Sequence, residues 1–188
     1  MRVTGGRLRG RAIAAPKGRG TRPTSDRARE SLFSILQHGL GLDFAGQAVI
    51  DCFAGSGALG FEALSRGATS AVFVENNGAA LACLGDNAEA LDLARQVDIL
   101  RLDATRLAAP PKGFAPAGLA FLDPPYANNL IEPALARLAE HGWLAPGALC
   151  VGEMGRADAF SAPAGFEQLD ERAKGETRLV FLRFLANI

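Results

Sequence analysis

Between Asp51 and Gly60 the chain reads DCFAGSGALG, with the apolar run QAVI before it and helix-forming residues after it. Gly55, Gly57 and Gly60 fall at G-x-G-x-x-G spacing, and Glu75 ends the next apolar run about 20 residues after Gly55. A strand, a glycine loop and a helix in this order belong to a parallel α/β sheet whose ligand lies above the loop. Glycines let the backbone approach a ligand, and a carboxylate at the tip of the second strand accepts hydrogen bonds from ribose hydroxyls. By itself the loop indicates an adenosine-containing ligand without naming it.

The rest of the chain repeats the pattern. Apolar runs at 47–52, 70–75, 97–103, 119–123 and 145–154 read as strands, separated by helical stretches at 58–67, 78–91 and 128–141. Strands alternating with helices predict a parallel sheet covered on both faces. The end departs from this: residues 165–173 and 177–184 flank Lys174-Gly175-Glu176 and read as an antiparallel hairpin. A mostly parallel, seven-stranded sheet that finishes in such a hairpin is the layout of Rossmann-like class I methyltransferases. A dinucleotide dehydrogenase would continue with parallel units.

Carboxylates end four successive strands: Asp51, Glu75, Asp103 and Asp123. Each alone also reads as a capping or turn residue; together they stand where ligands of such sheets bind. Asp51 beside the loop would repel a pyrophosphate and attract a methionine ammonium group. Asp103 is suited to hydrogen-bond an adenine amine. These details favour S-adenosylmethionine.

The fourth strand stops on Asp123-Pro124-Pro125-Tyr126. Two prolines cannot extend a helix or complete a sheet ladder, so a turn is dictated. The same rigidity aims a carboxylate and the Pro124 carbonyl toward one point. An exocyclic amine on a nucleobase is a poor nucleophile because its lone pair is delocalised into the ring. Acceptors for its two N–H groups would localise that pair toward a methyl donor, and Tyr126 offers a ring on which an extruded base stacks. Proximity and orientation then do most of the work, with no metal required.

The formal net charge is zero, yet it is segregated. Residues 1–40 hold nine Lys/Arg against Asp26 and Glu30, whereas the other 148 hold eleven bases and eighteen acids. Eight of the nine are arginine, the residue suited to bidentate phosphate contacts. A basic arm over 1–23, predicted to form a small β-hairpin, therefore precedes a catalytic domain over 24–188. Arg7, Arg9, Arg11 and Arg22 are its candidate RNA contacts. Thr24 or Ser25 is expected to cap a helix running to about His38 and packing through Ala28, Leu32, Ile35 and Leu36. Cys52, Cys83 and Cys150 read as reduced apolar residues, and no signal peptide or membrane span is evident, so a cytoplasmic protein is expected.

DCFAGSGALGFEAL together with DPPY resembles the amino-group methyltransferases of nucleic acids, in whose loop a Phe often stands where Phe53 stands here. More specifically, RVTGGRLRGRAIAAPKGRGTRPTSDRARESLFSIL and the ending KGETRLVFLRF resemble the ribosomal RNA small subunit methyltransferase D family. The resemblance covers nearly the whole chain. It implies methylation of the N2 amine of one guanine in 16S rRNA, on a partly assembled small subunit. It also implies that Gly55, Gly57, Glu75 and Asp103 hold the cofactor, with Asp51, Phe53, Asn76 and Ala104 beside them. Asp123, Pro124, Pro125 and Tyr126 would hold the target base. A DNA adenine-N6 methyltransferase would use the same tetrad, but no insertion of target-recognition size is present. A binding module without chemistry would have little use for an intact loop and tetrad.

Overall fold

The strand before the glycine loop forms as β1 (Ala48–Cys52), every residue of it buried except Ala48 at its entrance. The computed structural model of the protein describes residues 1–16, 25–125 and 129–186. Following β1 come α2 (Ala58–Ser65), β2 (Ser70–Glu75), α3 (Gly78–Ala90), β3 (Val97–Arg101), β4 (Ala117–Leu122), α4 (Ile131–Glu140) and β5 (Leu144–Gly155). The helix α1 (Asp26–Ser34) precedes them, and β6 (Phe166–Lys174) and β7 (Thr177–Phe184) close the chain. The sheet order is β3-β2-β1-β4-β5-β7-β6. The first five strands pair in parallel, while β7 inserts antiparallel between β5 and β6.

Two apolar layers cover the sheet. One gathers Leu32, Phe33 and Leu36 with Phe61, Leu64, Leu84 and Ala88 against Val49, Phe73, Phe121 and Val151. The other packs Ile131, Ala134, Leu135 and Leu138 of α4, with Trp143, against Ile50, Val72, Ala120 and Cys150. Adjacent strand residues thus serve opposite faces, as a period of two demands. Such double coverage explains why the parallel strands read as near-continuous apolar runs.

Ser25 caps α1 by accepting from the Ala28 amide at 3.2 Å. The buried face of α1 and its continuation as a π-turn over Ile35–Gly39 is Arg29, Leu32, Phe33 and Leu36. This is rotated from the expected face, because Ala28 and Ile35 are only half-buried while Phe33 stacks on Phe44 and packs at a tilt on Phe121, with centroids 5.4 and 5.6 Å away. The fourth helix begins at Ile131; Asn128, where the sequence placed its start, lies outside the described residues, as do Arg22, Thr24 and Tyr126.

The first thirteen residues fold back on themselves through an antiparallel bridge, Arg2↔Ala12, with Val3 N donating to Arg11 O and Ile13 N to Met1 O. Val3, Leu8 and Ile13 are buried in the same layer as α1 and α2. Its turn meets the far end of α2, where the Arg7 amide donates to Ser65 O at 2.8 Å and the Leu8 amide to Ser65 Oγ at 2.9 Å.

Candidate active site at the strand ends

Three glycines shape the loop for three reasons. Gly55 (φ +55°) meets only its own Phe53 carbonyl at 3.9 Å on the side where a Cβ would stand, so the space above it is open to a ligand. Gly57 (φ +76°) caps α2 in the left-handed region, and a Cβ there would lie 2.6 Å from Leu84 and Phe61. Gly60 faces β2 so closely that a Cβ would collide with the ring of Phe73. The last two glycines bring helix and sheet together, and the first leaves room for a cofactor.

Carboxylates then hold the loop in place. Glu75 Oε2 accepts from the Gly55 amide at 2.9 Å, and its Oε1 accepts from the Asn76 and Asn77 amides at 2.8 Å each. Those bonds use three of about four acceptor positions on a carboxylate, leaving capacity for one more on Oε2. Asp51 is buried beneath the loop, with Oδ2 accepting from the Gly60 amide at 2.9 Å. Its carboxyl is pushed well above the usual carboxylate range, chiefly by burial, and further by the charges of Asp123 and Glu75. Asp103 Oδ1 accepts from the Thr105 amide and hydroxyl at 2.9 and 2.7 Å, which hold its pKa below the ordinary value. Asn76 is exposed, Ala104 is buried, and Phe53 (φ +59°) packs on the α4 layer.

Strand alternation puts Asp51, Glu75, Asp123 and Glu153 on one face, each two residues beyond Val49, Phe73, Phe121 and Val151 of the same apolar layer. Asp51 is near enough to Glu75 and Asp123 to feel the charge of both. A site built this way welcomes a cationic group, such as a sulfonium or an ammonium, and penalises a pyrophosphate. The open space over Gly55 and this donor set fit S-adenosylmethionine.

Asp123 follows β4, its amide 3.5 Å from Cys52 O. Burial and the neighbouring carboxylate of Glu153 raise its pKa to about 7. Pro124 and Pro125 turn the chain away and line a cleft with Ile131, Glu153, Met154 and Phe160. Asp123 and the glycine loop thus stand at the ends of adjacent strands, β4 and β1.

Arg7, Arg9 and Arg11 stand elsewhere. Arg7 Nη2 donates to Gln96 Oε1 at 3.3 Å, and Arg11 Nη2 bonds Ala90 O and lies 3.5 Å from Asp92 Oδ2. These partners belong to the α3–β3 connection, at the opposite end of the sheet from the glycine loop; Arg9 is exposed nearby.

Two features escaped the sequence reading. Glu153 stands two residues before the end of β5, and extending the search for carboxylates near strand ends by one strand would have found it. Asn87 had no signal: buried on α3, its Nδ2 donates to Ala14 O and Ser56 O at 3.0 Å each, tying the arm to the glycine loop. Among the described residues no group of His, Cys, Asp and Glu is arranged to hold a metal ion, and no helix is long and apolar enough to cross a membrane.

Residues 1–183 match the family described as "Conserved hypothetical protein 95". The chain is 36% identical over 177 residues to ribosomal RNA small subunit methyltransferase D of Escherichia coli, covering 94% of this chain and 86% of that one. It is 33% identical to the protein of the same name from Haemophilus influenzae, covering 93% and 89%. The solved structure of the "Putative methyltransferase yhhF" of Escherichia coli superposes with a TM-score of 0.82 at 32% identity, covering 100% of this chain and 99% of that one.

Proposed function

The chain belongs to the conserved hypothetical protein 95 family, with the small subunit methyltransferases D among its relatives, and we propose that it methylates the N2 amine of a guanine in 16S rRNA. The fold is that of a class I methyltransferase, which implies S-adenosylmethionine as donor. The observation that carries the reading is the convergence of Asp51, Glu75 and Asp123 around an open glycine loop, with the Pro124 turn beside it. That convergence suits a cationic donor next to an amine acceptor.

In this reading Glu75 receives a ribose hydroxyl on its remaining acceptor position, Asp103 Oδ2 receives the adenine amine, and Asn76 and Ala104 adjoin them. Phe53 and the backbone of Gly55 and Gly57 bound the cofactor, over Asp51. When bound, the cofactor supplies an electrophilic methyl group on sulfur. Asp123 and the Pro124 carbonyl accept the two N–H bonds of the target amine, drawing its lone pair out of the ring. Pro125 stiffens that turn, and Tyr126 stacks on the extruded base. With its pKa raised to about 7, Asp123 is also matched to receive the proton that the methylated amine releases. Orientation supplies the largest share of the rate.

Residues 1–23 act as the RNA arm on a catalytic body over 24–188, with Arg7, Arg9, Arg11 and Arg22 meeting phosphates of a partly assembled small subunit. The test incubates the protein and tritiated cofactor with naked 16S rRNA, small subunits lacking the modification, and duplex DNA. Label in N2-methylguanine of rRNA is expected, and Asp123→Ala abolishes it while cofactor binding survives. Label in DNA alone, as an adenine-N6 methyltransferase would give, rejects the proposal. So does undiminished turnover by the variant.

A further inference from the structure

The Asp-Pro-Pro turn offers acceptors to an exocyclic amine, but adenine, cytosine and guanine all carry one. Something else must choose the base. On the Watson–Crick edge, guanine sets a ring N1–H donor beside its amine, whereas adenine N1 and cytosine N3 are acceptors. Uracil has a ring N–H and no amine. An acceptor placed next to the amine site therefore selects guanine alone.

The last registered pair of β4 and β5 is Leu122↔Gly152, so Asp123 and Glu153 follow at the same level on neighbouring parallel strands. Both are two residues beyond members of one apolar layer, Phe121 and Val151, and so share a face. Glu153 lines the cleft that Pro124 and Pro125 enter, with Met154 and Phe160 as apolar wall. Two further carboxylates line it, Glu132 of α4 and Asp158 beyond the end of β5. Neither stands in register with Asp123.

We infer that Glu153 is the base-selecting residue of this site, its carboxylate accepting the N1–H of the target guanine beside the amine held by Asp123 and Pro124. This rests on the guanine-amine reading above. Electrostatics agree, since the Glu153 charge is close enough to raise the Asp123 pKa. A row of two N–H donors laid across adjacent carboxylates relieves their repulsion, and an adenine edge would add a lone pair to it.

The test uses 2-aminopurine, which keeps the N2 amine but has a lone pair at N1. Small subunits are reconstituted with 16S rRNA carrying either guanine or 2-aminopurine at the mapped target. The native protein is expected to favour guanine by roughly 100-fold or more in kcat/KM, because a site built for an N–H rejects an analogue without it. Glu153→Gln, whose amide also donates to a lone pair, is expected to lower that ratio at least roughly tenfold, with cofactor affinity and Tm unchanged. Native protein that methylates guanine but shows no preference over 2-aminopurine overturns the inference, whatever the variant does. So does a folded Glu153→Gln variant with an unaltered ratio. No transfer to guanine by the native protein rejects the guanine reading itself, and this assignment with it.

Discussion

Arg29 of α1 and Glu62 of α2 form a fully buried ion pair, Nε to Oε2 3.4 Å. The same Glu62 carboxylate accepts from the Thr4 amide and hydroxyl at 2.7 Å each and from Arg66 Nε at 2.9 Å. Arg29 in turn donates to Arg2 O and to Asp26 Oδ1. One carboxylate therefore joins the N-terminal hairpin, the first helix and the helix that leaves the glycine loop. Removing one member of such a group strands the rest without compensation. Glu62→Ala is expected to lose about 3–5 kcal/mol in urea unfolding. A loss under about 1 kcal/mol would mean that water replaces the missing acceptor.

Gly60→Ala drives a methyl group into Phe73, whose ring packs 4.7 Å from Phe61. Overpacking of this kind costs about 1–3 kcal/mol. Because the Gly60 amide also binds Asp51, the shift reaches the loop. The expected outcome is a lower Tm together with weaker cofactor binding by calorimetry; unchanged values for both would show that α2 can move away freely.

The raised pKa of Asp123 makes a pH dependence with a definite sign. An unfolded Asp releases its proton near 3.8, whereas the folded protein retains it to about 7. Between those values the folded state binds more protons, so this residue's contribution to stability falls as pH rises from about 4 to 7. Asp123→Asn is expected to flatten that slope, which denaturation at several pH values would measure. In the native protein kcat/KM should rise through an apparent pKa near 7, as the carboxylate needed to accept N–H bonds forms. A profile flat from about pH 6 to 8 contradicts the role.

Glu75 both organises the loop and faces the cofactor space. Glu75→Ala removes a charged acceptor from the Gly55, Asn76 and Asn77 amides. Loss of a charge-assisted hydrogen bond costs about 1.5–3 kcal/mol, so the cofactor Kd should rise roughly 10–100-fold. Calorimetry with S-adenosylhomocysteine decides; an unchanged Kd would remove Glu75 from the site.

Charge-neutralising Arg7, Arg9 and Arg11 together should weaken RNA binding and reduce the slope of log K against log salt, by about 0.7–0.9 for each phosphate that the arm no longer neutralises. Arg7 and Arg11 already have partners on the body, Gln96 and Asp92, so Arg9 alone should carry a measurable share. An unchanged salt slope would leave this surface without a role in RNA binding.

Much of this was legible before folding was considered. The alternation of apolar runs and helices announced a parallel sheet, because strands buried on both faces must be apolar throughout. Glycine spacing located the loop, and Asp51, Glu75, Asp103 and Asp123 could be found by counting to strand ends. Chain order carries such local signals directly.

Other matters required the tertiary structure. Arg29 counted as one of nine basic residues near the N-terminus, yet it is buried against Glu62, 33 positions away. Nothing local distinguishes a buried arginine from a solvated one. The hairpin arginines were legible as candidate RNA contacts, but only the fold places Gly6 to Leu8 against the end of α2 remote from the loop. Asp123 and Glu153 lie thirty residues apart in the chain and become neighbours only because β4 and β5 align at Leu122 and Gly152. Periodicity and glycine spacing are properties of adjacent residues and survive in the bare sequence. Charge pairing depends on distance through space, which helix packing sets for Arg29 and Glu62 and strand register sets for Asp123 and Glu153.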